Sequence, residues 1–317
     1  MPEGAKAPGE TFADFQRVFP DEASCVRHLF AARYGDGTRC PRCGRSAKWR
    51  QKNSRRSFRS ICCRDELSPT VGTFLSHSRV PLRTSLYAVL LTAIFDGRLS
   101  SIFLAKQTGL GRPAAWALSD RIRVQMALLA LRAAAPYSGK VFVDEMLLKT
   151  VRRRSGARSD PAIIFGITDG VRPSFFCVPD RKGDTLAGVI TSVVTPGTTI
   201  VCDGYASYDR LAKRGYGLSR VIHSRGLWKN VHGDTTAPIE QLWTGVRRRL
   251  ERVHQQVARE HLWKYLGQFA FIAHCRKLGI SPFWTTISAF PDVSPRSLAR
   301  AEATIDRVGW TSTMIEG

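Results

Sequence analysis

Three carboxylates stand where apolar segments would deliver them. Asp144 closes Val-Phe-Val, Asp203 closes Thr-Ile-Val-Cys, and Glu240 lies in Ile239-Glu240-Gln-Leu-Trp243. Carboxylate oxygens are hard ligands suited to magnesium or manganese, and two such ions ~3.5–4 Å apart activate an attacking oxygen and stabilise a leaving one. The chemistry expected of the trio is metal-dependent phosphoryl transfer, with no serine, tyrosine or histidine nucleophile. A single aspartate at a strand end is a common turn residue, so the expectation rests on the three together. Asp169, Asp180, Asp184 and Asp234 read as loop acids outside the trio.

The elements that must position these acids follow from pattern. Lys140 to Asp144 reads as a strand, and Ala162 to Thr168 and Pro173 to Val178 as two more, joined through the hairpin signal Asp169-Gly170. Thr185 to Val194 suits a helix, Thr199 to Asp203 a fourth strand, Ser207 to Arg214 a helix, and Leu218 to His223 a fifth strand. A long helix begins near Pro238, where Ile239, Leu242, Trp243, Val246, Leu250 and Val253 recur at helical spacing as a buried stripe. Glu240, Thr244, Arg247 and Glu251 make a second stripe beside it, so Glu240 and Arg247, about two turns apart, can address one phosphate region. Three meander strands, helix, strand, helix, strand and helix is the order of a ribonuclease H-like α/β fold, by analogy of topology. In that fold the first and fourth strands are neighbours, so Asp144 and Asp203 meet at one sheet end and the last helix brings Glu240 across. Trp243, Trp263, Tyr265 and Phe269 read as core.

Composition points to a polyanionic partner. A net charge of +22 and pI near 10.4 on 317 residues, 43% of them hydrophobic, fit a folded protein that binds phosphate-rich polymers by counterion release. The N-terminus lacks the order of a signal peptide and no apolar run approaches the ~18 residues of a spanning helix, so no membrane partner and a cytoplasmic, nucleoid-associated location are expected. In that compartment eight cysteines suggest metal binding or burial, not disulfides.

Four of those cysteines form the candidate metal motif. Cys40-Pro-Arg-Cys43-Gly44 is a knuckle that offers two thiolates to one zinc, with Gly44 permitting the turn. Its partners Cys62 and Cys63 are adjacent, and Ser60 stands where regular spacing asks for a thiol. Either Cys62 completes the site by local distortion or zinc is lost. Cys25, Cys177, Cys202 and Cys275, among apolar neighbours, read as buried. Between these parts lies a helical stretch, Leu82 to Phe95, then Ser100 to Gly109 and Arg112 to Met126, with the order of helix, turn, helix. One reading sets Arg112, Arg121 and Arg123 against DNA; the other is a packed hairpin with solvated arginines. Lys149, Arg152, Arg153, Arg154 and Arg158 make a basic loop after the first acid, placed to hold a strand or simply solvated. His223, Trp228, Lys229 and His232 precede the Glu240 helix, where an aromatic and cations could steady a base and phosphate.

Cys40-Pro-Arg-Cys43-Gly, Val71-Gly-Thr-Phe74, Val143-Asp144-Glu145, Val201-Cys-Asp203-Gly-Tyr-X-X-Tyr208, Val221-Ile-His223-Ser and Ile239-Glu240-X-X-Trp243, in this order, resemble the ISXO-type DDE transposases of bacterial insertion sequences. The resemblance runs from about Cys40 to Phe271. It implies a zinc-ribbon N-terminus, a ribonuclease H-like catalytic domain and magnesium-dependent cutting and joining of inverted-repeat ends. Asp144, Asp203 and Glu240 would hold metal, and Arg247 would stand at the family's basic position. The implied partners are double-stranded DNA of the element ends and target, and further copies of the chain when DNA is bound. Domains are then expected at 1–78 (zinc-ribbon-like module), 79–136 (helix-turn-helix-like), 137–285 (catalytic) and 286–317 (tail). Departures occur at Ser60 and at Thr235-Thr236-Ala237, where the family often has His-Thr-Asn. They leave a second reading open, a catalytically decayed or domesticated DNA-binding derivative.

Overall fold

The computed structural model describes residues 10–35, 39–40, 42–51, 56–151, 158–204, 206–222, 229–254 and 257–306, without the side chains of 151, 158–160 and 301–306. The chain divides into two compact units, residues 1–129 with 279–294, and residues 130–278 with 295–317. None of the helices among the described residues is long and apolar enough to cross a membrane.

The first unit opens on α1 (Phe12–Val18) and α2 (Glu22–Tyr34). Asp21 and Ser24 form a reciprocal capping box that fixes the start of α2. A small antiparallel sheet follows, β1 (Trp49–Gln51), β2 (Phe58–Ser60) and β3 (Glu66–Leu67). Then come α3 (Leu82–Ile94), α4 (Ser101–Thr108) and α5 (Arg112–Arg132). Ser100 caps α4 at its start, and Gly109, left-handed at φ 70°, ends it. These helices lie where the hydrophobic pattern puts them, although α5 runs six residues past Met126. The helix α10 (Pro282–Ser288) packs on α2 and α3, and its Phe283 and Trp284 join Phe15 and Phe19 in an aromatic cluster.

The second unit is a five-stranded mixed sheet, β4 (Lys140–Val151), β5 (Arg158–Thr168), β6 (Pro173–Val178), β7 (Thr199–Asp203) and β8 (Gly217–Val221), in the spatial order β6-β5-β4-β7-β8. The first three strands are an antiparallel meander, and β7 and β8 add parallel to β4. This is the ribonuclease H-like arrangement expected from the pattern. Gly170 turns the β5–β6 hairpin at φ 89°, and the Asp169 carboxylate accepts from the backbone N–H groups of Val171 and Arg172. Strands β4 and β5 extend further than their apolar patterns indicate: β4 pairs with β7 over 140–142 and β5 with β6 over 163–168. From Leu148 and Ala162 outward they form a two-stranded ribbon with a register shift between Leu148 and Thr150.

One sheet face buries Val141, Val143, Phe165, Ile167, Ile200 and Cys202 beneath α6 (Gly183–Val193) and Tyr208. The region expected to be one helix at 207–214 is a 3-10 turn at Ala206–Tyr208 followed by α7 (Asp209–Ala212). The opposite face carries α8 (Ala237–Leu250) and α9 (Leu262–Lys277). The α8 stripe is buried at Ile239, Trp243, Val246 and Leu250, and Trp263 and Phe269 are buried on α9, whereas Tyr265 is partly exposed. A helix α11 (Pro295–Asp306) returns to β6 and α9.

Candidate active site and cysteine cluster

Alternation along the strands decides which acids share a face. Val141 and Val143 point into the α6 core, so Asp144 points to the α8 side; Ile200 and Cys202 do the same on β7, so Asp203 shares the α8 side with Asp144. The last ladder pair of β4 and β7 is Phe142 with Val201, and both aspartates lie two residues further along. They therefore emerge next to each other where the two strands part. Glu240, in the first turn of α8, approaches from above. Burial pushes the Asp144 carboxyl up, and the negative charges of Asp203 and Glu240 push it further, which places both acids within electrostatic reach.

Two of the three acids are held by a named neighbour. The Trp243 indole Nε1–H donates to Asp144 Oδ2 at 2.8 Å, and the Thr236 hydroxyl donates to Glu240 Oε1 at 2.6 Å. Trp243 can reach because its ring lies over Gly166, which pairs with Asp144 across β4 and β5. A Cβ at Gly166 would stand 2.6 Å from Trp243 Cη2 and 3.0 Å from Ile239 Cδ1. The indole thus fills the place a side chain would take. Periodicity marks Trp243 only as core; the sequence signals for more were a glycine inside a strand, which often marks close approach, and the polar handle of the indole.

A fourth carboxylate was not singled out as a site residue. Glu145 points to the opposite face, where the buried Tyr208 hydroxyl donates to Glu145 Oε1 at 2.6 Å. Burial pushes Glu145 up to about 7, with Asp144 and Asp203 adding to the rise and Tyr208 and Arg181 opposing it.

The remaining acids have structural partners. Asp180 accepts from the Lys182 N–H and the Thr185 hydroxyl, Asp184 pairs with Arg210 at the surface, and Asp234 is bound by Lys140 and Ser219. Arg247 is exposed on α8, with Arg248 and Arg249 beside it.

The basic candidates separate. Arg112 is exposed at the start of α5, whereas Arg123 is only 4% exposed and the Arg121 guanidinium donates to the carbonyls of Phe74 and Ser76. Of the three arginines that one reading sets against DNA, the structure leaves Arg112 open to solvent and corrects the placement of Arg121 and Arg123, which are packed. Helical spacing puts Arg121 and Arg123 among packed neighbours, where long side chains bury their stems. Lys149 and Lys229 are exposed. Arg152, Arg153, Arg154, His223 and Trp228 lie outside the described residues.

In the first unit, the Sγ atoms of Cys40, Cys43, Cys62 and Cys63 lie within 4.8 Å of one another. Cys40 meets Cys63 and Cys43 meets Cys62, each at 3.6 Å. A zinc tetrahedron with ~2.3 Å bonds has an edge of about 3.8 Å, so the four thiols could hold zinc. Adjacency is accommodated because residues 61–63 form a turn after β2 that sends the two thiols to different members of the first pair. Ser60 makes no gap: its Oγ lies 2.8 Å from Cys62 Sγ. The backbone N–H of Cys43 leads the groups that pull Cys40 down to about 6, whereas, against the pull of the Arg45 N–H, burial and the neighbouring thiols push Cys43 up to about 11, so the thiols share their protons unevenly. Among the described residues this is the one group of three or more such ligands; Asp144, Asp203 and Glu240 converge without closing into another. The other four cysteines are buried, as their apolar neighbours indicate.

Comparison with family models matches residues 137–273 to the family described as ISXO2-like transposase domain. The match begins just before β4 and ends within α9, so it contains the whole sheet and the three acids. No curated protein matches the chain.

Proposed function

We infer from residues 137–273, which match the ISXO2-like transposase domain, that this chain is a DNA transposase whose site is Asp144, Asp203 and Glu240. The observation that carries the reading is the shared emergence of Asp144 and Asp203 from β4 and β7 beneath Glu240. Three carboxylates are an all-oxygen donor set, which fits magnesium or manganese and not a softer metal. Bound there, two such ions would supply activation of the attacking oxygen and stabilisation of the leaving one.

The protein's own part is placement. Trp243 and Thr236 orient two of the acids, and Arg247, exposed on the Glu240 helix, is available to a phosphate. Lys149, on the same strand as Asp144, can neutralise backbone charge alongside. With water as nucleophile a phosphodiester at an element end is hydrolysed to a 3′ hydroxyl and a 5′ phosphate. That hydroxyl then attacks a target phosphodiester, one P–O bond forming as another breaks. Unit 1, with the four-thiol cluster on zinc and the helices α4 and α5, would dock the DNA ends, and synapsis of two ends calls for two or more copies.

The test is strand nicking of an end-containing duplex with magnesium. Asp144→Ala, Asp203→Ala and Glu240→Ala should each abolish nicking and leave DNA binding intact. Nicking by the triple variant at the wild-type rate would refute the assignment, and a wild type that binds but never nicks would favour a domesticated DNA-binding derivative, the reading Ala237 motivates.

A further inference from the structure

We propose that Trp243 is a positioning residue of the site: its indole N–H holds Asp144 Oδ2 and so fixes the orientation in which the carboxylate is presented to a divalent cation, with Gly166 the opening that lets the ring reach. The inference rests on the acid-trio reading and deepens it.

Three observations carry it. The first is the 2.8 Å bond itself, between groups 99 residues apart; an indole offers a single N–H, and here it is spent on the acid that ends β4. The second is the fit of the ring. A methyl at Gly166 would stand 2.6 and 2.8 Å from Cη2 and Cζ2, so no other residue at 166 leaves the indole in place. Phe175, paired with Gly166 across β5 and β6, packs against the indole at 5.6 Å between centroids, so the ring is held on two sides. The third is the sharing of one helix. Trp243 follows Glu240 by three residues, nearly one turn, so the acid from α8 and the clamp on the acid from β4 are set by the same rigid element. A shift of α8 moves both together. Packing alone explains a buried aromatic at 243 and does not explain a polar handle aimed at a carboxylate, since phenylalanine would fill the same stripe.

Outer partners that orient a metal-binding carboxylate typically change metal affinity ~10–100-fold when removed. The experiment measures Mn2+ binding to the full-length protein by electron paramagnetic resonance, without DNA, alongside thermal melting. Wild type and Asp144→Ala are compared first, to establish binding at the acids. Trp243→Phe, which keeps an aromatic ring and removes the N–H, should weaken Mn2+ binding about 10-fold or more, and should shift the metal concentration needed for nicking by the same factor. Gly166→Ala, which keeps the N–H and displaces the ring, should do likewise. A Trp243→Phe protein that melts lower yet binds Mn2+ as tightly as wild type would reduce Trp243 to packing and overturn the proposal. Should Trp243→Phe not fold, unchanged Mn2+ affinity in Gly166→Ala overturns it equally. If wild type binds Mn2+ no better than Asp144→Ala, the acid-trio reading falls first and this inference with it.

Discussion

Asp234 and Lys140 are joined by an ion pair of 2.5 Å across 94 residues of chain, and the second Asp234 oxygen accepts from the Ser219 hydroxyl at 2.6 Å. Asn230 completes the cluster, donating to Ser219 Oγ and accepting from the backbone N–H groups of His232 and Asp234. The segment that enters α8 is therefore fastened to the first residue of β4 and to the middle of β8. Glu240 inherits its height above the sheet from that fastening.

Because Lys140 and then Ser219 hold the Asp234 carboxyl below its usual value of 3.8, the ionised form is favoured in the folded state. The stabilisation is present above pH 3.8 and disappears as pH falls through the folded-state value. Asp234→Asn should melt roughly 3–6 °C lower than wild type at pH 7, and the gap should close on titration below pH 3.8. A gap that does not narrow at any pH below 3.8, down to acid unfolding of the wild type, would show that the charge is not what fastens the segment.

The cysteine cluster makes a composition test possible. The wild-type protein should carry one zinc per chain by metal analysis, Cys62→Ser should lose it, and Ser60→Ala should keep it, since Ser60 only neighbours the thiol. Chelation should expose β1 to β3 to protease, because a module this small has little core of its own.

Arg112 and Arg123 should part company. Arg112→Ala should weaken duplex binding and reduce the magnitude of the salt slope by about 1 without changing the melting temperature. Arg123→Ala, at a site only 4% exposed, should lower the melting temperature by several degrees instead. Equal behaviour of the two in a filter-binding and melting series would contradict the burial assigned here.

Gly183 opens α6 with no room for a side chain: a Cβ would lie 2.7 Å from the backbone carbonyl oxygen of Ser207. Backbone cannot swing aside as a side chain can. Gly183→Ala should destabilise the second unit by ~1–3 kcal/mol, read as a lower denaturant midpoint.

How far the sequence carried is visible in particular residues. Thr199 to Asp203 and the Asp169-Gly170 hairpin were legible because a β-branched run and a turn pair act locally, and the adjacency of β4 and β7 followed by analogy of element order with the ribonuclease H-like fold. The reach of β4 past Asp144 was not, since Glu145, Lys149 and Thr150 interrupt the apolar alternation and only pairing with β5 keeps them extended. The pairing of adjacent Cys62 and Cys63 with different thiols depends on a turn that spacing rules do not encode. Trp243 and Gly166 each showed a familiar cue, a helical stripe and a strand glycine, but their meeting is a fact of tertiary register, as is the union of Asp234 with Lys140.

The ribbon beyond Leu148 has a mechanical meaning. Asp144 to Val151 spans seven residue steps, about 23 Å of extended chain, rooted two residues beyond the last pairing of β4 with β7 and flanked at its outer end by β5 alone. Two-stranded ribbons twist more and resist bending less than broad sheets. On the proposed assignment the strand is a cantilever: its root carries the Asp144 carboxylate beside the sheet, while its outer end, with Lys149 on it, has one partner strand and so the compliance to follow the curvature of whatever lies across it.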